Sequence, residues 1–224
     1  MKIKAFLLTF IVIIFVFCNV SCSNDRDYDE TEVISYAIEL IKKSEKVNDI
    51  FYGTGIQYSQ LDAVLDNTYI EADTLSLNYY GVSTTADIKE LARECFSDEL
   101  SNIMINTVIS SVKDSDGTVL SYARYTPKID TSDDTEIGVM VNKNFKPFLT
   151  DKIEYDYNSI RISDVEGEII YVEITVKVTN SDEKEQIKDI KIALVEESNG
   201  FRLDSPTYAR YVDEEYYKDL QSKK

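Results

Sequence analysis

Apolar and polar residues alternate through much of the second half of the chain. The segment EIIYVEITVKVTN sets Ile170, Val172, Ile174, Val176 and Val178 against Tyr171, Glu173, Thr175, Lys177 and Thr179. A period of two with one clean apolar face predicts a strand in an antiparallel sheet that is covered on one side only. SIRISDV, leading to a turn at Glu166-Gly167, and QIKDIKIALVEE, following the acidic loop NSDEKE, are its expected neighbours. Asn199-Gly200 then predicts a hairpin into FRLDS, because both residues tolerate positive φ. VLSYARY (119–125), EIGVMVN (136–142) and KIEYDYN, starting at Lys152, also read as strands.

The first half has a different period. Val33, Ala37, Leu40, Ile41 and Val47 form one side of a helix expected from Glu30 to Asp49, ending before FYGTG. STTADIKELARECF opens with hydroxyl residues suited to an N-cap and continues with Ile88, Leu91, Ala92 and Cys95 at helical spacing. Ser97, with Asp98 and Glu99 behind it, restarts a second helix carrying Leu100, Ile103, Met104, Thr107 and Val108, so a bend is expected at Ser97. LSLNYY (75–80) alternates Leu75, Leu77 and Tyr79 and reads as a strand. LDAVLD (61–66) reads as a helical turn within the unassigned stretch 56–74. Helices first and a long meander afterwards give an α+β order, with the N-terminal helices packed on one face of a curved antiparallel β-meander.

The N-terminus changes the picture. Lys2 and Lys4 precede the apolar run AFLLTFIVIIFVF, which is short for a membrane span of roughly 20 residues and has the layout of a signal peptide. Val20-Ser21-Cys22 resembles the lipobox of bacterial lipoproteins, in which the cysteine is acylated and becomes the mature N-terminus; Asn19 departs from the aliphatic residue of that motif. An ordinary cleaved signal and an uncleaved anchor are the competing readings. The expected organisation is a signal peptide over 1–21, a polar tether over 22–30, a single α+β domain over 31–212, and a charged tail or short helix over 213–224. Cys22 is then the lipid attachment point, at the outer face of the cytoplasmic membrane in a Gram-positive-type envelope. Two acyl chains anchor stably where one is marginal.

Charge narrows the partners. The chain has 24 basic and 41 acidic residues; Lys2 and Lys4 lie in the leader, leaving 22 against 41, a formal charge of −19. Such a surface disfavours nucleic acid and anionic headgroups and suits a basic protein or another cation. Without Cys18 and with Cys22 acylated, Cys95 has no partner for a disulfide, and its place on a helix stripe reads as an inert buried thiol. The chain has no histidine, which removes the usual base for a nucleophile and the commonest metal ligand. No cofactor or metal site is expected.

Other motifs read as turns. Gly53 and Gly55 of FYGTG lack the following residues of a phosphate loop. KDSDGT (113–118) begins like a calcium loop and stops short of one, so a reverse turn is expected. The acid pairs Asp133-Asp134, Glu166/Glu168 and Glu196-Glu197 lie in or beside turns, away from the desolvated setting a glycosidase needs. Arg202, Asp204 and Tyr208 bracket Pro206 and read as structural. No polar residue interrupts the apolar stripes of the clearest elements, which argues against a cavity site.

NGFRLDSPTYARY (199–211), together with FYGTG, the ADIKELARECFS helix and the closing meander, resembles lipoproteins of low-GC Gram-positive bacteria. More distantly the layout is similar to the secreted DL-endopeptidase inhibitors, the IseA-like family, and to cystatin-like and nuclear-transport-factor-like folds. That resemblance implies a non-enzymatic module that occupies the cleft of a cell-wall peptidase. The loop PKIDTSDDTEIG (127–138), with Asp130, Asp133, Asp134 and Glu136, is the candidate surface for a basic peptidase or other basic envelope protein, against the plainer reading of a solvated loop. The alternative function is a small-ligand binding protein or minor enzyme that uses the hollow of a cone-shaped α+β fold.

Overall fold

In the first helix the apolar positions recur at 3.6-residue spacing from an acidic cap. Asp29 accepts hydrogen bonds from the backbone N–H groups of Thr31 (2.9 Å) and Glu32 (3.3 Å), satisfying donors the helix cannot pair itself. The computed structural model describes residues 28–58, 68–110, 112–113, 119–121 and 123–213. The leader, Cys22, LDAVLD, Asp114–Thr118 of KDSDGT and the tail from 214 lie outside them.

Four helices and nine strands make up the described chain. The helices are α1 Glu30–Tyr52, α2 Thr74–Tyr80, α3 Thr85–Cys95 and α4 Asp98–Val108. The short strands are β1 Tyr69–Glu71, β2 Val112–Lys113, β3 Val119–Ser121, β4 Tyr125–Ile129 and β5 Glu136–Asn142. The long ones are β6 Lys152–Glu166, β7 Ile169–Thr179 and β8 Glu185–Glu197, followed by β9 Gly200–Leu203. Strands β1-β5-β4 form one antiparallel sheet, β2-β3 a two-stranded one, and β6-β7-β8-β9 an antiparallel meander in chain order. The class is α+β, with the helices N-terminal to the meander.

The alternation in β7 becomes two faces. Ile170, Val172, Ile174, Val176 and Val178 are buried and join the core formed by α1, α3, Ile192, Leu194 and Leu203. Truncating Ile170 or Ile174 to alanine removes about 2–5 kcal/mol. The opposite face is a lattice of charges: Lys177 reaches Glu154 (2.9 Å) and Glu185 (3.3 Å), Arg161 pairs with Glu173, and Lys191 lies 3.4 Å from Asp164. Hydrogen bonds from Lys152 and Lys177 hold the exposed Glu154 carboxyl down at about 2.

Several expected elements differ. LSLNYY is the helix α2, not a strand. Asp73 caps it by accepting from Ser76 N (3.0 Å), and Gly81, at φ +74°, ends it. Over so few residues alternation and helical spacing overlap, and the cap with its closing glycine decides. α1 runs three residues past Asp49. VLSYARY is divided: Val119–Ser121 pairs with β2, and a new strand begins at Tyr125, because Arg124 N–H donates to Val108 O (2.7 Å) and its carbonyl accepts from Asn142 N (2.9 Å). KIEYDYN and SIRISDV are one strand, β6. Its register slips between Asp156 and Arg161, and Ser159 Oγ accepts from Thr175 N (2.8 Å) in place of a ladder carbonyl. At Asn199-Gly200 only Gly200 takes positive φ, at 98°.

A capping box between Thr84 and Asp87 opens α3, and Ser97 caps α4, so the expected bend is at Ser97. Asp204 accepts from Ser97 Oγ (2.5 Å), and Arg202 Nε donates to Arg93 O (3.1 Å) at the C-terminal end of α3. Both thus tie β9 to the helix junction. Cys95 is buried there, and burial pushes its thiol up to about 12. Beyond β9, residues 204–213 form a strap between α1 and the meander. Tyr155 Oη donates to Thr207 O (3.0 Å), Tyr211 N to Asp151 Oδ2 (2.7 Å) and Val212 N to Gln186 Oε1 (3.2 Å). The hollow between helix and sheet is therefore filled at this end.

Burial raises the hydroxyls of Tyr52 and Tyr125 to about 12 and those of Tyr80, Tyr155 and Tyr157 further. A raised folded value means that the fold prefers the protonated phenol. The stabilisation is complete below the unfolded value near 10 and is lost as pH climbs through the folded one, at about 1.4 kcal/mol per pH unit for each buried group. Stability measured by denaturant titration should be level around neutral pH and fall steeply above about pH 10. Tyrosinate absorbance should rise together with the loss of circular dichroism.

Candidate functional site

The polar chemistry gathers where α1 ends. Its last turn leaves carbonyls without helical donors, and the chain answers with Arg124 and Tyr125 at the start of β4. Arg124 is 3% exposed; its Nη2 donates to Gly53 O (2.8 Å) and Thr54 O (2.6 Å). Its guanidinium carbon stands 4.3 Å from the centre of the Phe145 ring and 5.2 Å from that of Tyr125. Burial pulls its basicity down, and neighbouring Tyr125 and Asp49 partly restore it. Tyr125 Oη donates to Ile50 O (2.9 Å) and accepts from Ile56 N (3.0 Å), so one hydroxyl bridges helix end and loop.

Asp49 faces the same loop. Its Oδ1 accepts from Thr54 N (2.8 Å) and Gly55 N (3.4 Å), and its Oδ2 accepts a short hydrogen bond from Tyr80. Gly55 lies at φ +63°, and a Cβ there would meet Arg124 Nη2 at 2.3 Å. FYGTG is a turn, as expected. Its second glycine is demanded both by backbone conformation and by the guanidinium against it.

Beside this clamp opens a cleft of about 360 Å³, lined among others by Glu45, Asn48 and Asp49 of α1, Asp151, Tyr155 of β6 and Tyr208 of the strap. Asn48 Nδ2 donates to Thr207 Oγ1 (2.8 Å), which also shares a hydrogen bond with Ser44 Oγ (2.6 Å). Tyr52, Phe148 and Tyr208 form an aromatic cluster next to it, with ring centres 4.9 to 5.8 Å apart. Phe148 and Leu149 both donate their N–H to Tyr52 O at 3.0 Å, fixing the segment that leads into Asp151.

The cleft contradicts the expectation that no polar residue interrupts the apolar stripes. Ser44 and Asn48 lie buried on the apolar side of α1, between Leu40, Ile41, Val47 and Phe51. They, with Arg124 inside VLSYARY, are the polar intrusions that sequence reading overlooked. Asp151 carries no such signal, since its place depends on the fold.

The acidic loop stands elsewhere, at the turn between β4 and β5, and none of its four acids lines the cleft. Asp130 Oδ1 accepts from Ser132 N (2.8 Å) and Oγ (2.7 Å), and Asp133 Oδ1 from Thr135 Oγ1 (2.6 Å) and N (3.1 Å). These bonds hold both carboxyls below the usual range. Asp134 takes φ 57°, and Glu136 accepts from Thr85 N (2.5 Å) at the start of α3. Asp130, Asp133 and Glu136 thus shape the turn or cap a helix, whereas Asp134 faces solvent at the tip.

Tyr125→Phe removes both hydrogen bonds of that hydroxyl and should cost about 1–3 kcal/mol in denaturant unfolding. Gly55→Ala should cost more, because φ and the guanidinium contact both oppose it. Among the described residues no helix is long and apolar enough to cross a membrane, and no group of three metal-ligating side chains converges. No protein-family model matches the chain, and no curated protein matches it.

Proposed function

We propose that this chain is a lipid-anchored extracellular binding protein without enzymatic activity, and that the cleft beside the end of α1 is its binding site. The observation that carries the reading is the cleft itself. A concavity of about 360 Å³ with tyrosines and several convergent polar groups is of small-ligand size. The acids in it are already employed as acceptors: Asp49 holds the loop, Asp151 the strap and Glu45 the Tyr157 hydroxyl (2.7 Å). That suits a preformed recognition surface better than a proton-transfer site, which needs a group poised to change its state.

The anchor rests on Cys22 at the seam between apolar leader and acidic tether. Mass spectrometry of the natively produced protein should find an N-terminal cysteine carrying a diacylglyceryl group, and Cys22→Ala should move the protein from the membrane fraction to the medium. An unmodified thiol at that position would remove the anchor from the proposal.

A second reading has its own observation. Ile129, 42% exposed, and Ile137, 54% exposed, flank the acidic turn 130–135. An apolar pair below an acidic tip suits contact with a basic groove, in keeping with the inhibition of a cell-wall peptidase. A papain-type cell-wall peptidase should then be inhibited at low ionic strength, and Asp133→Lys with Asp134→Lys should abolish the effect. Inhibition that survives this double change would place the contact elsewhere.

A further inference from the structure

The charged lining of the cleft is mostly acceptor, and the hydroxyls of Thr54, Thr150 and Tyr208 are its neutral donors. Glu45, Asp49 and Asp151 line it against one cation, Lys152. Lys152 is drawn aside by Glu154, 2.6 Å from its Nζ, and Tyr155 spends its hydroxyl proton on Thr207 O. The acceptors are less occupied. Tyr157 takes Oε1 of Glu45 and Tyr211 takes Oδ2 of Asp151, and the second oxygen of each receives no hydrogen bond from the described residues.

Asn48 supplies an independent sign. It lines the cleft, is 4% exposed, and its Oδ1 has no partner although its Nδ2 is engaged by Thr207. A buried carbonyl left without a donor costs about 1–3 kcal/mol, and a fold that keeps one beside a cleft keeps an acceptor in waiting.

We infer that the cleft takes a small molecule or chain end carrying a protonated amine, whose ammonium donates to the Glu45 and Asp151 carboxylates and the Asn48 carbonyl. An ammonium has three donors and no acceptor, the complement of this lining. Tyr155 and Tyr208 offer ring surface to its carbon frame. An anion is opposed by the carboxylates of Glu45, Asp49 and Asp151. The inference rests on the cleft being the binding site.

Glucosamine, cadaverine, N-acetylglucosamine and acetate test it by calorimetric titration of the full chain in detergent. Glucosamine and cadaverine should bind roughly tenfold or more tightly than N-acetylglucosamine, since only they carry the charge-assisted donor. Asp151→Asn and Glu45→Gln keep an acceptor and its shape; each should weaken glucosamine about three- to tenfold while circular dichroism stays unchanged. If N-acetylglucosamine binds as well as glucosamine, and Asp151→Asn weakens both alike, the ammonium is wrong and the cleft stands as a site for neutral groups. Glucosamine binding that neither variant alters places the amine outside the cleft and overturns the inference. If none of the four binds, the inference and the cleft as a small-ligand site fall together.

Discussion

A guanidinium shut inside the protein organises the region around it. Among the described residues Arg124 meets two backbone carbonyls and two aromatic rings, and no carboxylate pairs with it. The nearby Asp49 charge and the negative end of a helix dipole compensate it, the latter through Gly53 O and Thr54 O, just past the last turn of α1. Removing such a charge from water is tolerable only if its surroundings are fixed. The arrangement therefore fixes them: the end of α1, the FYGTG turn and the first residue of β4 stand in one geometry. Asn48 and Asp49 sit one turn before that end, so the cleft inherits its shape from the clamp.

The meander provides the opposite wall. Its inner face is apolar and excludes water, and its outer face exchanges charge across strands. The strap from Asp204 onward closes the lower hollow by laying Thr207 against Ser44, Asn48 and Tyr155. What is left open is the margin where helix end, segment 147–153 and strap meet. A concavity produced by three elements that pack elsewhere is held from three sides, and its polar groups are set before anything enters.

The architecture was largely legible in the residue pattern, because strand β7 and helices α1, α3 and α4 each bury one periodic face and nothing else competes. The failures are local. LSLNYY shows an alternation whose meaning depends on Asp73 and Gly81, outside the segment itself. Arg124 is hidden by the alternation of VLSYARY, where a buried charge looks like an outward residue. The acidic loop drew attention by its charge, yet Asp130 and Asp133 spend theirs on Ser132 and Thr135. The cleft was illegible for a different reason: Asn48 lies roughly 100 positions before Asp151 and Tyr155 and 160 before Tyr208, and only the fold brings them together.

The break in β6 has a further consequence. This strand is 15 residues long and forms one border of the meander, with only β7 beside it among the described residues. A straight border of that length would present a row of free amides and carbonyls on which another molecule could grow. The three surplus residues between Asp156 and Arg161, and the Ser159 hydroxyl that stands in for a carbonyl, put a kink in the middle of the row. A second strand approaching this border would find the row interrupted halfway, with no continuous ladder to extend.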